Sequence, residues 1–272
     1  MATALDVIIV SFNTRALTLA ALASLLDARP AGLQRVFVVD NASSDGSVEA
    51  IGAAFPLVDV VALPTNVGFG AANNRALRQA QAPLVLLLNS DTVVPPGAVD
   101  ALAGRLEATG AVAAGPRLVD GEGRPEVSFG RMLSPAAEFV QRQRVRASRS
   151  RRAGARRRVE RLLANEREVD WASAACLLVR RDAALAAGLF DERYFLYEED
   201  VDFCAALRAR GGRILFTPRA TITHLGGRSA RPADRDGATH YDRSHLAFYE
   251  KHRPAWAPWL RLWLRLRGRR IQ

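Results

Sequence analysis

Apolar and polar positions alternate in blocks along the first third of the chain. Leu5-Asp-Val-Ile-Ile-Val-Ser11 is a β-branched run that predicts a strand, and a helical pattern follows from Ala16 to Ala28 until Pro30 stops it. The alternation then repeats, with strands over Gln34–Asp40, Val58–Leu63 and Leu84–Asn89 and helices over Ser44–Ala54 and Gly70–Ala80, the first of these helices capped by Ser44 or Asp45. Strands apolar on both faces and separated by helices predict an α/β fold with a mostly parallel sheet covered on both sides. Several runs break off at a carboxylate or amide beside glycine or serine, at Asp40-Asn-Ala-Ser-Ser-Asp-Gly-Ser47, Asn66-Val-Gly-Phe-Gly70 and Asn89-Ser-Asp91. An open α/β sheet builds its ligand site at such strand ends.

The regularity fades after about Gly115. Pro116 to Arg131 reads as loops and short antiparallel strands, and Arg142 to Arg161 as an arginine-dense helix or mobile loop. Order returns with an apolar strand from Val169 to Val179, a helix from Arg181, a helix from about Glu199 to Arg210 closed by two glycines, and a last strand at Ile214–Phe216. The chain has no internal repeats.

Composition changes this picture in three places. The 272 residues, 49% hydrophobic, suffice for one large core, which excludes global disorder. Cys176 and Cys204 lie in apolar segments without a paired-cysteine spacing, so they read as buried reduced thiols, and with no signal peptide or membrane-length apolar run the expected location is the cytoplasm. The formal charge of +10 collects between Arg142 and Arg161 and again between Arg261 and Arg270. No aromatic residue interleaves the first cluster, which argues against a nucleic-acid partner. In the tail, Trp259, Leu260, Trp263 and Leu264 share one helical face with Arg261 and Arg265 on another. That pattern suits either a helix lying in an anionic membrane interface or a helix docked on the body or in an oligomer contact.

Seven motifs stand in order from Val10 to Gly227, within a stretch of roughly Leu5 to Arg228: Val10-Ser-Phe-Asn13, Val38 to Ser47, Asn66 to Asn74, Leu88-Asn-Ser-Asp91, Trp171-Ala-Ser-Ala-Ala175, Phe195-Leu-Tyr-Glu-Glu-Asp-Val-Asp202 and His224-Leu-Gly-Gly227. Together they resemble the family 2 inverting glycosyltransferases of the GT-A fold, especially the bacterial rhamnosyltransferase-like branch. The resemblance implies a Rossmann-like nucleotide-sugar-binding part over 1–115 and an acceptor-binding and catalytic part of the same domain over 116–240, and the residue pattern adds a basic amphipathic helical tail over 241–272.

Residue by residue, it implies nucleotide contacts at Ser11, Asn13, Asp40, Asn66, Gly68, Asn89 and Ser90. Asp40 would accept from the N3–H of a pyrimidine, although an Asx turn or helix cap uses the same residue types. Asp91 and His224 would hold a divalent metal, Mg2+ or Mn2+, with diphosphate oxygens and water filling the remaining positions. Asp200 would be the general base, beside Glu199, at a helix start whose dipole favours ionised carboxylates. Trp171 and Asp202 would meet the acceptor, with Asp202 alternatively bracing the site. Two departures stand out: Asn89 replaces the first acid of the more familiar Asp-x-Asp, and Ala174 stands where many relatives have glycine.

The activity implied is inverting transfer of a sugar from a nucleotide diphosphate donor to a hydroxyl of a lipid-linked or cell-envelope glycan, on the cytoplasmic face of the membrane. dTDP-rhamnose is the favoured donor, and UDP-sugars such as UDP-galactofuranose remain open. Two alternatives remain beside it. A nucleotidyltransferase would carry a glycine-rich loop after the first strand, where Ser11-Phe-Asn-Thr-Arg15 has none; a non-catalytic sugar-nucleotide-binding protein of the same fold need not turn over.

Overall fold

The computed structural model describes residues 2–226, 235–267 and 269. Gly227 of the His224 motif and Arg270 of the tail lie outside the described residues. The first half runs β1 (Leu5–Ser11), α1 (Arg15–Ala28), β2 (Leu33–Asp40), α2 (Ser47–Ala54), β3 (Asp59–Ala62), α3 (Phe69–Leu77), β4 (Leu84–Asn89), β5 (Thr92–Val93), α4 (Ala98–Thr109) and β6 (Ala113–Val119). The second continues with β7 (Pro125–Glu126), β8 (Phe129–Gly130), α5 (Pro135–Ser148), α6 (Ala153–Leu163), β9 (Arg167–Val169), β10 (Trp171–Ala172), β11 (Cys176–Arg180), α7 (Arg181–Ala186), α8 (Glu199–Ala209), β12 (Ile214–His224), α9 (Arg235–His252) and α10 (Ala257–Leu266).

The main path of the central sheet has the order β3-β2-β1-β4-β11-β6-β12-β5. β1 pairs in parallel with β2 and β4, and β2 with β3. β11 enters antiparallel between β4 and β6, after which β12 pairs with β6 in parallel. The period of two along each strand sorts side chains to two buried layers. Val7 and Ile9 of β1 face Leu22, Leu25 and Ile51 of α1 and α2, whereas Ile8 faces Ala72, Ala76 and Leu77 of α3. A third cluster, Leu133, Tyr194, Val201, Leu246, Phe248, Tyr249 and Ala257, seats α9 and α10 against α8.

Several elements differ from the sequence pattern, beginning with α2, which starts at Ser47 behind a left-handed Gly46, so that the cap position is held by neither Ser44 nor Asp45. The run Val169–Val179 is not one strand: β9 pairs with β12, β10 with β8 and β11 with β4 and β6, and Ser173 to Ala175 leave the ladder to line a crevice. The last strand continues past Phe216 to His224, because after an irregularity at Thr217–Thr221 it regains register with Arg117–Val119. The arginine-dense segment forms two helices, the first with Pro135 in its first turn and a cap in which Ser134 Oγ accepts from the Ala137 amide at 3.2 Å.

Cys176 and Cys204 are free and buried, and burial pushes both thiols up to about 12. Among the described residues no helix is long and apolar enough to cross a membrane.

One buried amide ties the first half to the second. Asn74 Oδ1 accepts from the Phe190 amide at 3.0 Å, while its Nδ2 donates to the Phe190 carbonyl at 2.9 Å and to Glu192 Oε1 at 3.0 Å. Asn74→Ala strands both backbone groups of Phe190, at about 1–3 kcal/mol each, so stability should fall by roughly 2–4 kcal/mol. A lower urea midpoint at unchanged slope is the expected signature, and an unchanged midpoint would show that the bridge contributes nothing.

Candidate active site

β1, β2 and β4 point their carboxyl ends at one crevice, a cavity of about 630 Å³ bounded on its far side by α8, α5 and α9. Asn41, Asn66, Gly68, Asn89, Ser90, Asp91, Trp171, Glu199, Asp200 and His224 all line it. Its volume is of the size that takes a small-molecule ligand or cofactor.

At the floor, the turn after β2 uses half of Asp40. Oδ2 accepts from the Ser43 amide at 2.8 Å, as an Asx turn requires, and Oδ1 is buried with no hydrogen-bond partner. A ligand N–H is the kind of donor that would satisfy this orphaned acceptor. Beside it Asn41 Nδ2 donates to Asn66 Oδ1 at 2.8 Å, Asn41 Oδ1 accepts from the Val67 amide at 2.9 Å, and Asn66 Oδ1 also accepts from the Gly68 amide at 3.0 Å. The two asparagines therefore lock the loops after β2 and β3 to each other. Asn41 was not singled out from the sequence, although it stands in the motif after Asp40.

Gly68, at φ +88°, lies so close to the Phe195 backbone that a Cβ would come within 2.4 Å of the Phe195 carbonyl oxygen. Its conformational freedom serves a chain-to-chain approach at the crevice wall.

Two expected nucleotide contacts turn away from the crevice. Ser11 is fully buried, and its hydroxyl bonds to Thr18 Oγ1 at 2.9 Å and Thr14 Oγ1 at 3.2 Å, pinning the end of β1 to α1. Asn13, at φ 51°, accepts from the Ser44 amide at 2.8 Å and so ties the loop after β1 to the loop after β2. Both side chains are spent on the scaffold, because the β1 loop turns directly into α1. Ser90 keeps a place on the crevice while accepting from Thr14 Oγ1 at 3.1 Å.

At one end, pairing of β12 with β5 sets His224 opposite Thr92, and the Leu225 amide donates to the Asp91 carbonyl at 2.8 Å. Residues far apart in sequence thus converge. His224 Nε2 stands 3.3 Å from Asp91 Oδ1, which is buried and accepts no hydrogen bond, and 3.4 Å from Asn89 Nδ2. Nδ1 is 3.0 Å from Glu126 Oε2. A carboxylate on the second ring nitrogen is the usual support of a metal-binding histidine, so the arrangement fits a divalent cation at Nε2 and Asp91 Oδ1. Asn89 is neutral and supplies hydrogen bonding. Among the described residues no group of three or more histidine, cysteine or acidic side chains is placed to hold a metal ion by itself, so a cation between Asp91 and His224 would need ligand oxygens and water as well. With no cation there, burial opposes charge on the ring, but Asp91 and Glu126 outweigh it and raise His224 to about 10. Glu126 carries no sequence signal, because only the β6–β7 pairing brings it under His224.

At the other end α8 begins at Glu199 after Tyr197 and Glu198, which take left-handed φ values of 70° and 63°. Asp200 Oδ2 accepts from the Ala174 amide at 3.2 Å and Oδ1 from the Val201 amide at 2.8 Å. The helix start was expected to keep both acids ionised; burial dominates instead. It raises Asp200 to about 6, with the charge of Glu198 adding to the rise and the Ala174 and Val201 amides opposing it. Glu199, whose Oε2 is buried and unpaired, is raised well above the carboxylate range by burial and then by the charge of Asp200. Asp200 therefore has the profile of a proton acceptor near neutral pH, and Glu199 that of a group that holds its proton.

Asp202 does not line the crevice, a correction to its expected acceptor contact. It is 2% exposed and is held by Tyr194 Oη at 3.2 Å, Lys251 Nζ at 2.8 Å and His252 Nε2 at 2.6 Å. It braces α8 against α9. Trp171 does line the crevice, with Nε1 donating to the Arg131 carbonyl at 3.0 Å and its ring lying so close on Gly130 that a Cβ there would meet it at 2.8 Å. The wall facing it, Glu138 and Arg142 of α5 and Tyr241 of α9, was not anticipated from the sequence.

Residues 6–171 match the sequence profile of Glycosyl transferase family 2. The chain is 33% identical over 268 residues to the N-acetylglucosaminyl-diphospho-decaprenol L-rhamnosyltransferase of Mycobacterium tuberculosis, an alignment that covers 89% of this chain and 82% of that protein. Among solved structures, GalNAc-T7 with UDP, GalNAc and Mn2+ superposes with a TM-score of 0.65 at 14% identity, covering 92% of this chain and 48% of that one. The mannosyltransferase PcManGT from Pyrobaculum calidifontis, in complex with GDP-Man and Mn2+, gives 0.60 at 16% identity, covering 96% of this chain and 69% of that one. These two likenesses bear on the fold, which is that of GT-A glycosyltransferases. The profile match and the long alignment together establish that the chain belongs to glycosyl transferase family 2 and is a glycosyltransferase.

Proposed function

We propose that the protein transfers rhamnose from dTDP-rhamnose to a hydroxyl of a polyprenyl-diphosphate-linked glycan, with inversion at the anomeric carbon and with Mg2+ or Mn2+ held by Asp91 and His224. The observation that carries this reading is that one crevice holds both the unpaired Asp91 oxygen beside His224 and a carboxylate, Asp200, raised to about 6. The mycobacterial relative, by its name, is a rhamnosyltransferase acting on such a lipid, which supports the acceptor class.

The strand-end part, 1–115, binds the donor, with the free oxygen of Asp40 and the Asn41–Asn66 lock at the nucleoside. When bound, the cation neutralises the charge that grows on the diphosphate leaving group. Residues 116–240 supply the acceptor side. Trp171 offers an aromatic face to the acceptor sugar, and Asp200 Oδ2 takes the proton of the attacking hydroxyl. That oxygen bonds to the anomeric carbon as the bond to the diphosphate breaks on the opposite face, giving the glycoside and a nucleoside diphosphate. Glu199 keeps its proton and orients the site.

We also propose peripheral binding to the anionic cytoplasmic face of the membrane. Two features of helix α10 support this reading: Ala257 and Leu264 are buried, which holds the helix on the body, while Trp259, Leu262, Trp263 and Leu266 are exposed. Arg267 lies 4.0 Å over the Trp263 ring, and α5, whose Glu138 accepts from Tyr249 of the same cluster, exposes Phe139 and Val140 beside its arginines. Exposed tryptophan among arginines suits an anionic headgroup layer.

Asp91→Ala and His224→Ala should each lower kcat/KM on the order of 10²-fold and weaken Mn2+-dependent binding of dTDP measured by calorimetry. Wild-type binding by either variant would remove that residue from the metal site. A donor panel tests the sugar, since UDP-sugars outpacing dTDP-rhamnose would overturn the donor assignment.

Because Asp200 is raised, its basic form is lost as pH falls, and kcat/KM should decline below about pH 6. Asp200→Asn should lose roughly 10²–10⁴-fold in kcat with little change in donor affinity, and the product should be inverted. A retained anomeric configuration, or undiminished turnover by Asp200→Asn, refutes the assignment.

Trp259→Ser with Trp263→Ser leaves the buried face of α10 intact, and should abolish sedimentation with phosphatidylglycerol vesicles while leaving donor hydrolysis unchanged. Added salt should weaken wild-type binding, and an unaffected double variant would refute the membrane face.

A further inference from the structure

The loop that delivers the base is strained, and one face of α9 holds it residue by residue. Tyr197 and Glu198 are consecutive non-glycine residues in the left-handed region, a conformation that persists only where surroundings impose it. The Phe195 ring stacks on His240 with centroids 4.5 Å apart, and the Leu196 carbonyl accepts from Ser244 Oγ at 2.8 Å. Tyr197 meets the Tyr241 ring edge-on at 5.8 Å, and Glu198 Oε1 is 3.0 Å from His245 Nδ1. The four contacts fall at i, i+1, i+4 and i+5 of α9, the spacing of a single helical face.

His245 is the charged member of this set. It is 6% exposed, and its other nitrogen, Nε2, lies 3.4 Å from Glu138 Oε2 of α5. Only the imidazolium offers an N–H to both carboxylates; the neutral ring offers one. The groups facing it are Glu138 and Arg142 from α5, Glu198 from the loop, and Tyr241 and Tyr249 of its own helix. Burial opposes its charge, yet hydrogen bonds to Glu138 and Glu198 outweigh that and raise it to about 9. Glu138 is held down at about 2 by His245, Tyr249 and Arg142 against the effect of burial, and burial raises both tyrosines.

We propose that His245 is a positioning residue for transfer: bridging Glu198 and Glu138, it holds the left-handed Tyr197–Glu198 turn and thereby sets Asp200 against the acceptor hydroxyl. The inference rests on the reading of Asp200 as the base. It assigns His245 no contact with donor or acceptor, so its loss should appear in kcat alone. Since the bridge needs the proton on His245, it is present below about pH 9 and is lost as pH rises through that value.

The test follows rhamnose transfer from dTDP-rhamnose to a synthetic N-acetylglucosaminyl-diphospho-lipid from about pH 6 to 10. Wild-type kcat should fall through about pH 9. His245→Gln should lower kcat on the order of 10²-fold, as expected for a misplaced catalytic group, and should lack the alkaline limb. Its KM for dTDP-rhamnose, its calorimetric affinity for dTDP with Mn2+ and its acid limb should match wild type. Wild-type kcat in the variant, or a variant that keeps the alkaline limb, overturns the proposal. Should His245→Gln not fold, Glu198→Gln must show the same loss of kcat at unchanged donor KM, and full turnover there overturns it equally. A wild-type enzyme inert toward every sugar nucleotide would instead sink the proposed function itself.

Discussion

The Phe195 carbonyl accepts from the Phe69 amide at 2.9 Å across residue 68, where no side chain fits. This contact joins the start of α3, which follows the strand-end loops, to the loop that leads into α8. A Cβ at Gly68 would displace the Phe195 backbone, and with it the strained turn that precedes Glu199 and Asp200. The Asn74–Phe190 bridge secures the same two segments one turn further along α3. Both junctions use backbone groups, so they fix position without adding charge to the crevice. The placement of the loop before Asp200 relative to α3 thus depends on one close approach that the chain permits at a glycine.

Around that junction the protein leaves acceptors unsatisfied. Asp40 Oδ1, Asp91 Oδ1 and Glu199 Oε2 are buried without partners, and all three belong to the motifs that form the crevice. Each such oxygen costs stability of about 1–3 kcal/mol when unpaired, and a core evolved for folding alone would avoid them. Under the proposed function a ligand N–H, a cation and a retained proton, respectively, offset that cost. The differing remedies explain why three acidic side chains in one cavity behave differently: Asp40 shares its load with a turn, Asp91 faces an imidazole, and Glu199 has only like charges beside it.

How far the sequence could be read follows from the range of the interactions involved. β4 lies where its apolar run places it, and α8 ends within a residue of its expected limit, because burial on both faces and a glycine pair are local signals. Ser11 ends the expected strand and Asn13 sits in the loop after it, but whether each polar side chain turns to the crevice or to the scaffold is decided by Thr18 and Ser44, which the strand pattern does not encode. The extension of β12 to His224 depends on pairing with β6 and β5, partners more than a hundred residues away in sequence. Helix α9 escaped notice since its inward face carries histidine, serine and tyrosine. It buries hydrogen bonds and rings instead of an aliphatic stripe, and a hydrophobic period does not register them.

The acidic run at the start of α8 shows how helical geometry divides four carboxylates between two tasks. Glu198 and Asp202 are four apart and face the same way, and both meet α9: Glu198 at His245, Asp202 at Lys251 and His252. Glu199 and Asp200 project at other angles into the crevice, whose edge Glu198 also lines, while Asp202 does not reach it. The first pair is held in ion pairs, and the second is raised by burial. Because α9 also packs through Leu246 and Tyr249 on the cluster that seats Ala257 of α10, the helix that fixes the base loop is the one on which the exposed tryptophan face is mounted. α8, α9 and α10 are therefore one packed unit, and under the proposed function the seat of α10 is coupled through α9 to the loop that carries Asp200.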